Sequence, residues 1–296
     1  MEISSKQVAE LRAETGVGMM ECKKALVEAN GDFEEAKKLL RKKGLAAAAR
    51  KADRTASEGL VVARVTPKAA VLLEVNCETD FVARTADFRG FVEGLADQIA
   101  AHDAFRETRT GDPGVLASLP SNDRSTERVA DAVSHLIAKL GENVAIRRFA
   151  RLLPRPGEHF ASYVHGNGKI GVLVGIKSGD FDLGKDLAMH VAASDPRFAA
   201  RSEVTPEMLE SEREIARAQA AQAGKPAAVV DRIAEGKVEK FYQEMVLTEQ
   251  AFVKDPEKTV GQVVVERGGK EALDLRFVRF KLGEAPVRSE AKAEAS

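Results

Sequence analysis

The chain has 296 residues, of which 44% are hydrophobic and 31% charged, with a formal net charge of -1. That length accommodates two or more compact domains with real cores, and the balanced charge argues against a nucleic-acid coat protein while allowing local basic patches. Trp is absent and Tyr occurs only twice, so stacking platforms for single strands are scarce and no direct nucleic-acid binding is expected.

Cys22 and Cys77 are the two cysteines. Their spacing suggests neither a disulfide framework nor a zinc site. No apolar run approaches the ~20 residues that span a bilayer. The Met-Glu-Ile-Ser-Ser start lacks the pattern of a signal peptide. A soluble cytoplasmic protein is the simplest fit.

Residues 4–43 read as three short helices. Val8 and Leu11 mark the face of the first, and Thr15 to Gly18 breaks it. The second, about Met19 to Ala29, places Met19, Cys22, Leu26 and Ala29 on one stripe. Asn30-Gly31 ends it. Asp32 caps a third helix, with Glu35 in a capping-box position and Phe33, Ala36, Leu39 and Leu40 on its apolar face. This unit resembles a ubiquitin-associated (UBA-like) three-helix module, which binds partners and has no room for a catalytic cleft. Met19 and Met20 either join its core or display an adaptable side chain to a partner. From Lys37 to Arg54 a basic connector with high helix propensity follows. It reads as a solvated face rather than an RNA site, or as a contact for an acidic surface; the neutral overall charge and few aromatics count against an RNA-binding protein.

From Ala56 the period changes to two. Leu60–Val65 and Ala69–Val75 form a hairpin around Thr66-Pro67-Lys68. The second strand runs into a polar corner, Asn76 to Asp80, with Phe81 directly behind it. Either Thr79 or Asp80 caps the next helix while Phe81 packs inward, or Asp80 and Phe81 project as a wedge. The helix extends to about His102 through Phe88, Phe91, Val92, Leu95 and Ile99. A looser loop spans Ala104–Pro120, and a helix is predicted over Asp123–Leu140. Val144–Leu153 is an arginine-rich strand. Phe160–Val164 and Lys169–Ile176 make a second hairpin, and Leu183–Ala193 a helix. The repeated order suggests two related α+β core subdomains.

Gly166, Gly168 and Gly171 match G-x-G-x-x-G, but no helix opens there. A tight turn and close strand approach explain them better than a dinucleotide. Thr205-Pro206 starts a helix carrying Met208, Leu209, Ile215 and Ala218. A second helix returns with Val230, Ile233, Ala234, Val238, Phe241 and Met245. The pair reads as an antiparallel coiled-coil hairpin reaching another protein or a second copy, so a homodimer stays open. Val260–Glu266 is helical, Gly268-Gly269 breaks it, and Leu273–Leu282 is a strand.

The expected fold class is therefore α+β. Its units are residues 1–54 (module and basic linker), 55–142 (first core subdomain), 143–203 with 247–283 (second core subdomain and C-terminal segment), 204–246 (coiled-coil hairpin) and 284–296 (disordered tail). No P-loop, G-x-S-x-G or H-E-x-x-H motif is present. His102, His135 and His190 read as structural, whereas His165 sits in a displayed turn. No catalytic residue, metal or cofactor is expected, and the protein is not expected to be an enzyme.

Gly18 to Leu26, Glu28 to Asp32, Glu74 to Val82, Gly141 to Asn143, Tyr163 to Gly166, Ala188 to Ser194 and Thr259 to Gln262 together resemble bacterial elongation factor Ts, in the family's order over nearly the whole chain. The resemblance implies a guanine-nucleotide exchange factor for elongation factor Tu. It implies that Lys23, with Met19 and Met20 beside it, lies in the module's grip on the partner. It implies that Thr79, Asp80, Phe81 and Val82 enter near the partner's magnesium site, which favours an exposed Phe81. Gly141, Glu142 and His165 are implied as further partner contacts. The competing reading is a UBA-like adaptor or scaffold without exchange activity, which leaves the Asp80-Phe81 corner idle.

Overall fold

A computed structural model of the protein describes residues 3–284, except 103, 104, 106, 122, 123 and 180. The tail expected beyond Glu284 and the helix start expected at Asp123 lie outside the described residues. The chain opens with α1 (Ser5–Thr15), α2 (Met19–Glu28) and α3 (Phe33–Lys51). A hairpin of β1 (Glu58–Val65) and β2 (Ala70–Cys77) follows, then α4 (Asp80–Ala83) and α5 (Ala86–Ala101). Next come β3 (Thr108–Gly111), α6 (Pro113–Ser118), β4 (Pro120–Ser121), β5 (Arg124–Arg128) and α7 (Val129–Leu140). β6 (Val144–Leu152) leads to a second hairpin of β7 (His159–His165) and β8 (Ile170–Ile176), then α8 (Phe181–Ser194). α9 (Pro206–Gln222) and α10 (Ala227–Met245) precede β9 (Ala251–Phe252), β10 (Asp255–Thr259), α11 (Val260–Gly268) and β11 (Arg276–Lys281). Helices packed on antiparallel sheets make this an α+β fold.

Two sheets carry the core. The first has the order β1-β2-β6-β3 and the second β11-β8-β7, with every pairing antiparallel. β2 is buried along its whole length because both of its faces are covered. Val71, Leu73 and Val75 point to a core shared with Phe88, Val92 and Ile99 of α5 and Ile137 of α7. Leu72, one step out of phase, meets Val61, Leu152, Leu173, Val278 and Phe280 between the sheets. On the far side Val172, Val174 and Ile176 pack against Leu183, Leu187 and Val191 of α8 and Val263 and Val264 of α11. The layers run helix, sheet, sheet, helix.

The glycines of the second hairpin fit this packing. Gly166 has φ 60° in the turn, where L-residues with a Cβ are disfavoured. A Cβ on Gly171 would lie 2.5 Å from Val61 Cγ1 and 2.8 Å from Leu72 Cδ1. The bare backbone is what lets the sheets approach. Gly171→Ala is expected to lower stability by about 1–3 kcal/mol through overpacking, read as a lower urea midpoint at unchanged slope.

Several elements differ from their sequence expectation. The third helix of the N-terminal module and the basic connector are one helix, α3, which crosses to the core. Arg41 Nε and Nη2 donate to Asp131 Oδ1 and Oδ2 of α7 at 3.0 and 2.8 Å, and Lys51 Nζ reaches the Ile137 carbonyl at 3.5 Å. The helix expected from the corner to His102 is two helices, because Thr85 accepts from Phe88 N and caps a new start. The expected loop at 104–120 contains β3 and α6. The expected helix over Asp123–Leu140 begins only at Val129, since Arg124–Arg128 pairs with β4. Val144–Leu153, expected in the second subdomain, contains β6, which hydrogen-bonds to β2 in the first sheet.

Within the module, Leu11, Cys22, Leu26, Ala36 and Leu40 form a small core. Cys22 is fully buried. α9 and α10 run antiparallel. Ala216 and Ala220 of α9 and Ala234 and Val238 of α10 are buried. Met208, Ile215 and Ala218, expected on the apolar seam, are exposed. Arg213 and Arg217 bond across to Glu235 and Asp231 at 2.9 and 3.0 Å, a rotation that places the alanines inward and allows a close helix approach. No helix among the described residues is long and apolar enough to cross a membrane.

Candidate functional site

The corner between β2 and α4 begins where the buried strand ends. Cys77 is the last buried residue, and its thiol donates to the Thr79 carbonyl at 3.2 Å. Burial, helped by the nearby Glu142 charge, pushes this thiol up to about 12, so it stays protonated and inert at neutral pH. Thr79 is the N-cap: its hydroxyl accepts from Val82 N at 3.3 Å. Asp80 is therefore the first helical residue and does not cap. Its carboxylate instead accepts from Arg84 Nη2 at 2.7 Å, one turn on. That pair is largely solvated and contributes little to stability.

The cap directs Phe81 outward, where its ring is 79% exposed. Val82, one residue on, is partly buried against the first core. A large apolar side chain held this far into water, on a strand-anchored turn, makes the corner a candidate contact surface.

The corner is clasped by the turn between α7 and β6. Gly141 closes α7 in the left-handed conformation at φ 80°, and no atom lies within 4 Å of where its Cβ would be. Conformation rather than space calls for glycine there. Glu142 Oε2 accepts from Glu78 N at 3.1 Å and Thr79 N at 3.0 Å, and Oε1 accepts from the Thr79 hydroxyl at 2.6 Å. In return, Asn143 N donates to Glu78 Oε1 at 2.7 Å. Asn143 Nδ2 donates to the carbonyls of Ala52 and Arg54, just past α3, at 3.3 and 2.8 Å.

The structure thus brings Thr79–Val82 together with Gly141 and Glu142. Met19, Met20 and Lys23 lie apart from them in sequence, on α2. Met19 and Met20 are both exposed rather than core. Lys23 is exposed and forms no ion pair among the described residues. Val27 continues this face at 56% exposure. It is absent from the residues expected at the site, although Met20, Lys23 and Val27 follow i, i+3, i+7 spacing. His165, expected in the turn, is the last residue of β7, paired with Ile170 and exposed, its Nδ1 3.0 Å from the Tyr163 hydroxyl. His190 is structural: Nε2 lies 2.9 Å from Gln250 Oε1, and Nδ1 accepts from Val253 N. Burial holds its pKa below the usual histidine value.

Among the described residues no group of three or more His, Cys, Asp or Glu could hold a metal ion.

Known proteins similar to the chain share one family description. A family model described as Elongation factor TS matches residues 78–284, beginning at the corner itself. The chain is 46% identical over 295 residues to Elongation factor Ts of Syntrophotalea carbinolica, covering 96% of this chain and 94% of that protein. It is 46% identical over 292 residues to Elongation factor Ts of Methylococcus capsulatus, covering 98% and 95%. With Elongation factor Ts of Nitrosospira multiformis the identity is 48% over 273 residues, covering 91% and 87%. Identity at this level, carried from the N-terminal module through the corner to β11, means that the chain belongs to the elongation factor Ts family.

Proposed function

We propose that this translation elongation factor is the guanine-nucleotide exchange factor for elongation factor Tu, and that it acts by binding the GTPase and disturbing the partner's magnesium and phosphate site. The observation that carries the reading is Phe81: a ring 79% exposed, on a capped helix at the end of a fully buried strand. The exposed α2 face with Met19, Met20 and Lys23 supplies the grip. Gly141 and His165 add contacts on the core.

The physical logic is linkage. GDP in a GTPase is held partly by Mg²⁺ bridging phosphate and protein oxygens. A protein that prefers the nucleotide-free state weakens GDP binding by the factor by which GDP weakens its own. It needs differential contacts, not catalytic groups. The test is a purified complex with elongation factor Tu challenged with GDP. Dissociation of the complex by GDP or GTP, with faster release of labelled GDP in the forward direction, is the expected result. A complex indifferent to nucleotide would favour an adaptor and overturn the reading.

A further inference from the structure

We infer that Glu142 is a positioning residue that holds the Phe81 wedge outward, and not a group that touches the partner. The inference rests on the exchange reading above for its consequence in function, but its geometry stands on the chain alone.

One carboxylate accepts three hydrogen bonds from two consecutive residues: Glu78 N, Thr79 N and the Thr79 hydroxyl. Both oxygens are thereby directed at the corner. The two backbone donors are the ones that the end of a strand leaves without a ladder partner. The Thr79 hydroxyl, by donating to Glu142, is also oriented to accept from Val82 N. Cap and clasp therefore share one atom. Phe81 lies between the two anchored ends of this cap, so its backbone direction follows from theirs.

The clasp is two-way. Glu78 accepts from Asn143 N, and Arg54 Nη1 approaches Glu78 Oε1 at 3.5 Å. Asn143 in turn ties down the exit of α3, the helix that carries the N-terminal module. The turn at Gly141–Asn143 thus joins the wedge and the stem of the grip at one node. An isolated pair of exposed residues would lose ordering entropy on every encounter, which preorganisation avoids.

The chemistry predicts a graded series. Glu142→Ala removes both acceptor oxygens and with them all three hydrogen bonds. Glu78, Thr79 and Glu142 are each only partly buried, so water replaces the lost bonds and the fold persists. Glu142→Gln keeps an amide oxygen for the two backbone N–H groups. Because the chain has no Trp, Phe81→Trp gives a single fluorescent reporter at the wedge.

Time-resolved anisotropy of the indole introduced by Phe81→Trp is expected to show restrained motion in the free protein, a fast local component when Glu142→Ala is added, and recovery with Glu142→Gln. Equal restraint in all three overturns the inference, whatever the protein does to a nucleotide. With Phe81 in place, Glu142→Ala is expected to lower the maximal rate of GDP release roughly tenfold to hundredfold, the cost of re-ordering two or three residues, at unchanged half-saturation. In a Phe81→Ala background the same change is expected to do nothing further. Additive losses, or a raised half-saturation alone, mean that Glu142 binds the partner directly and overturn the positioning role. If Phe81→Ala leaves GDP release untouched, the proposed exchange mechanism fails, and the anisotropy result still judges the clasp.

Discussion

Replacing Phe81 with alanine is expected to leave the fold and its unfolding midpoint unchanged while slowing the GDP release that the protein stimulates in its proposed partner by roughly ten- to a hundredfold. The stability half of this follows from exposure. A ring 79% in water contributes almost nothing to the core, and surface substitutions of this kind usually stay within about 0.5 kcal/mol. The kinetic half follows from the same number read the other way. A phenylalanine that passes from water into a partner gains roughly 1.5–3 kcal/mol. If that gain is realised only when the nucleotide site is distorted, it lowers the barrier to release rather than strengthening every state alike. Stopped-flow release of a fluorescent GDP analogue, with the GTPase in excess, reads the effect directly. Unchanged release would remove the wedge from the mechanism. A loss within this range also leaves part of the acceleration to other surfaces, for which the α2 face is the first candidate. On the proposed reading, in which that face grips without entering the nucleotide site, Met20→Ala is expected to act on half-saturation more than on maximal rate.

The parts of the molecule written in short-range chemistry are legible in the sequence. The apolar run of β2, the threonine after it, the αL glycine at the end of α7 and the Thr205-Pro206 start of the arm all lie where local rules put them. Pairings between distant segments are not. Glu142 and Thr79 are far apart in the chain, and each looks like an ordinary polar residue beside a helix end. Only the fold shows that one holds the other. β6 reads most simply with its sequence neighbours, although its alternation is compatible with either sheet. The register Leu73↔Phe149 puts it beside β2. In α9 the pattern misleads because the seam is made of Ala216 and Ala220, small residues that carry a weak hydrophobic signal, while the larger Met208 and Ile215 face water. Which residues of the corner project and which hold them in place is a matter of fold: Phe81 is exposed and Glu142 is bonded to Thr79, and neither fact is written in the local sequence.

Arg148→Ala is expected to destabilise the protein by about 3–5 kcal/mol, as removal of one member of a buried ion pair typically does. Glu74 is completely buried and the Arg148 side chain is 6% exposed, with Arg148 Nε 2.7 Å from Glu74 Oε2. Both point between the two sheets, where Glu74 Oε1 also accepts from Gly283 N at 2.8 Å. Arg148 donates to the Lys281 carbonyl at 2.9 Å and stacks over Phe280, 4.3 Å from the ring centre. One guanidinium thus ties β2, β6 and the end of β11 together. Truncating it strands a carboxylate in an apolar layer with a single backbone donor within normal distance. The loss belongs to the stranded charge more than to the attraction, so the double replacement Glu74→Leu with Arg148→Met is expected to recover most of the stability. Urea unfolding of the two variants separates these contributions. Equal destabilisation in both would mean that the pair is worth its full Coulomb attraction and that desolvation is minor. Because the pair lies between the sheets while the corner projects from the end of β2, the folded fraction of Arg148→Ala at low temperature is expected to release GDP from the partner at the normal rate. That result would separate the scaffold that holds β2 from the cap and clasp that aim Phe81.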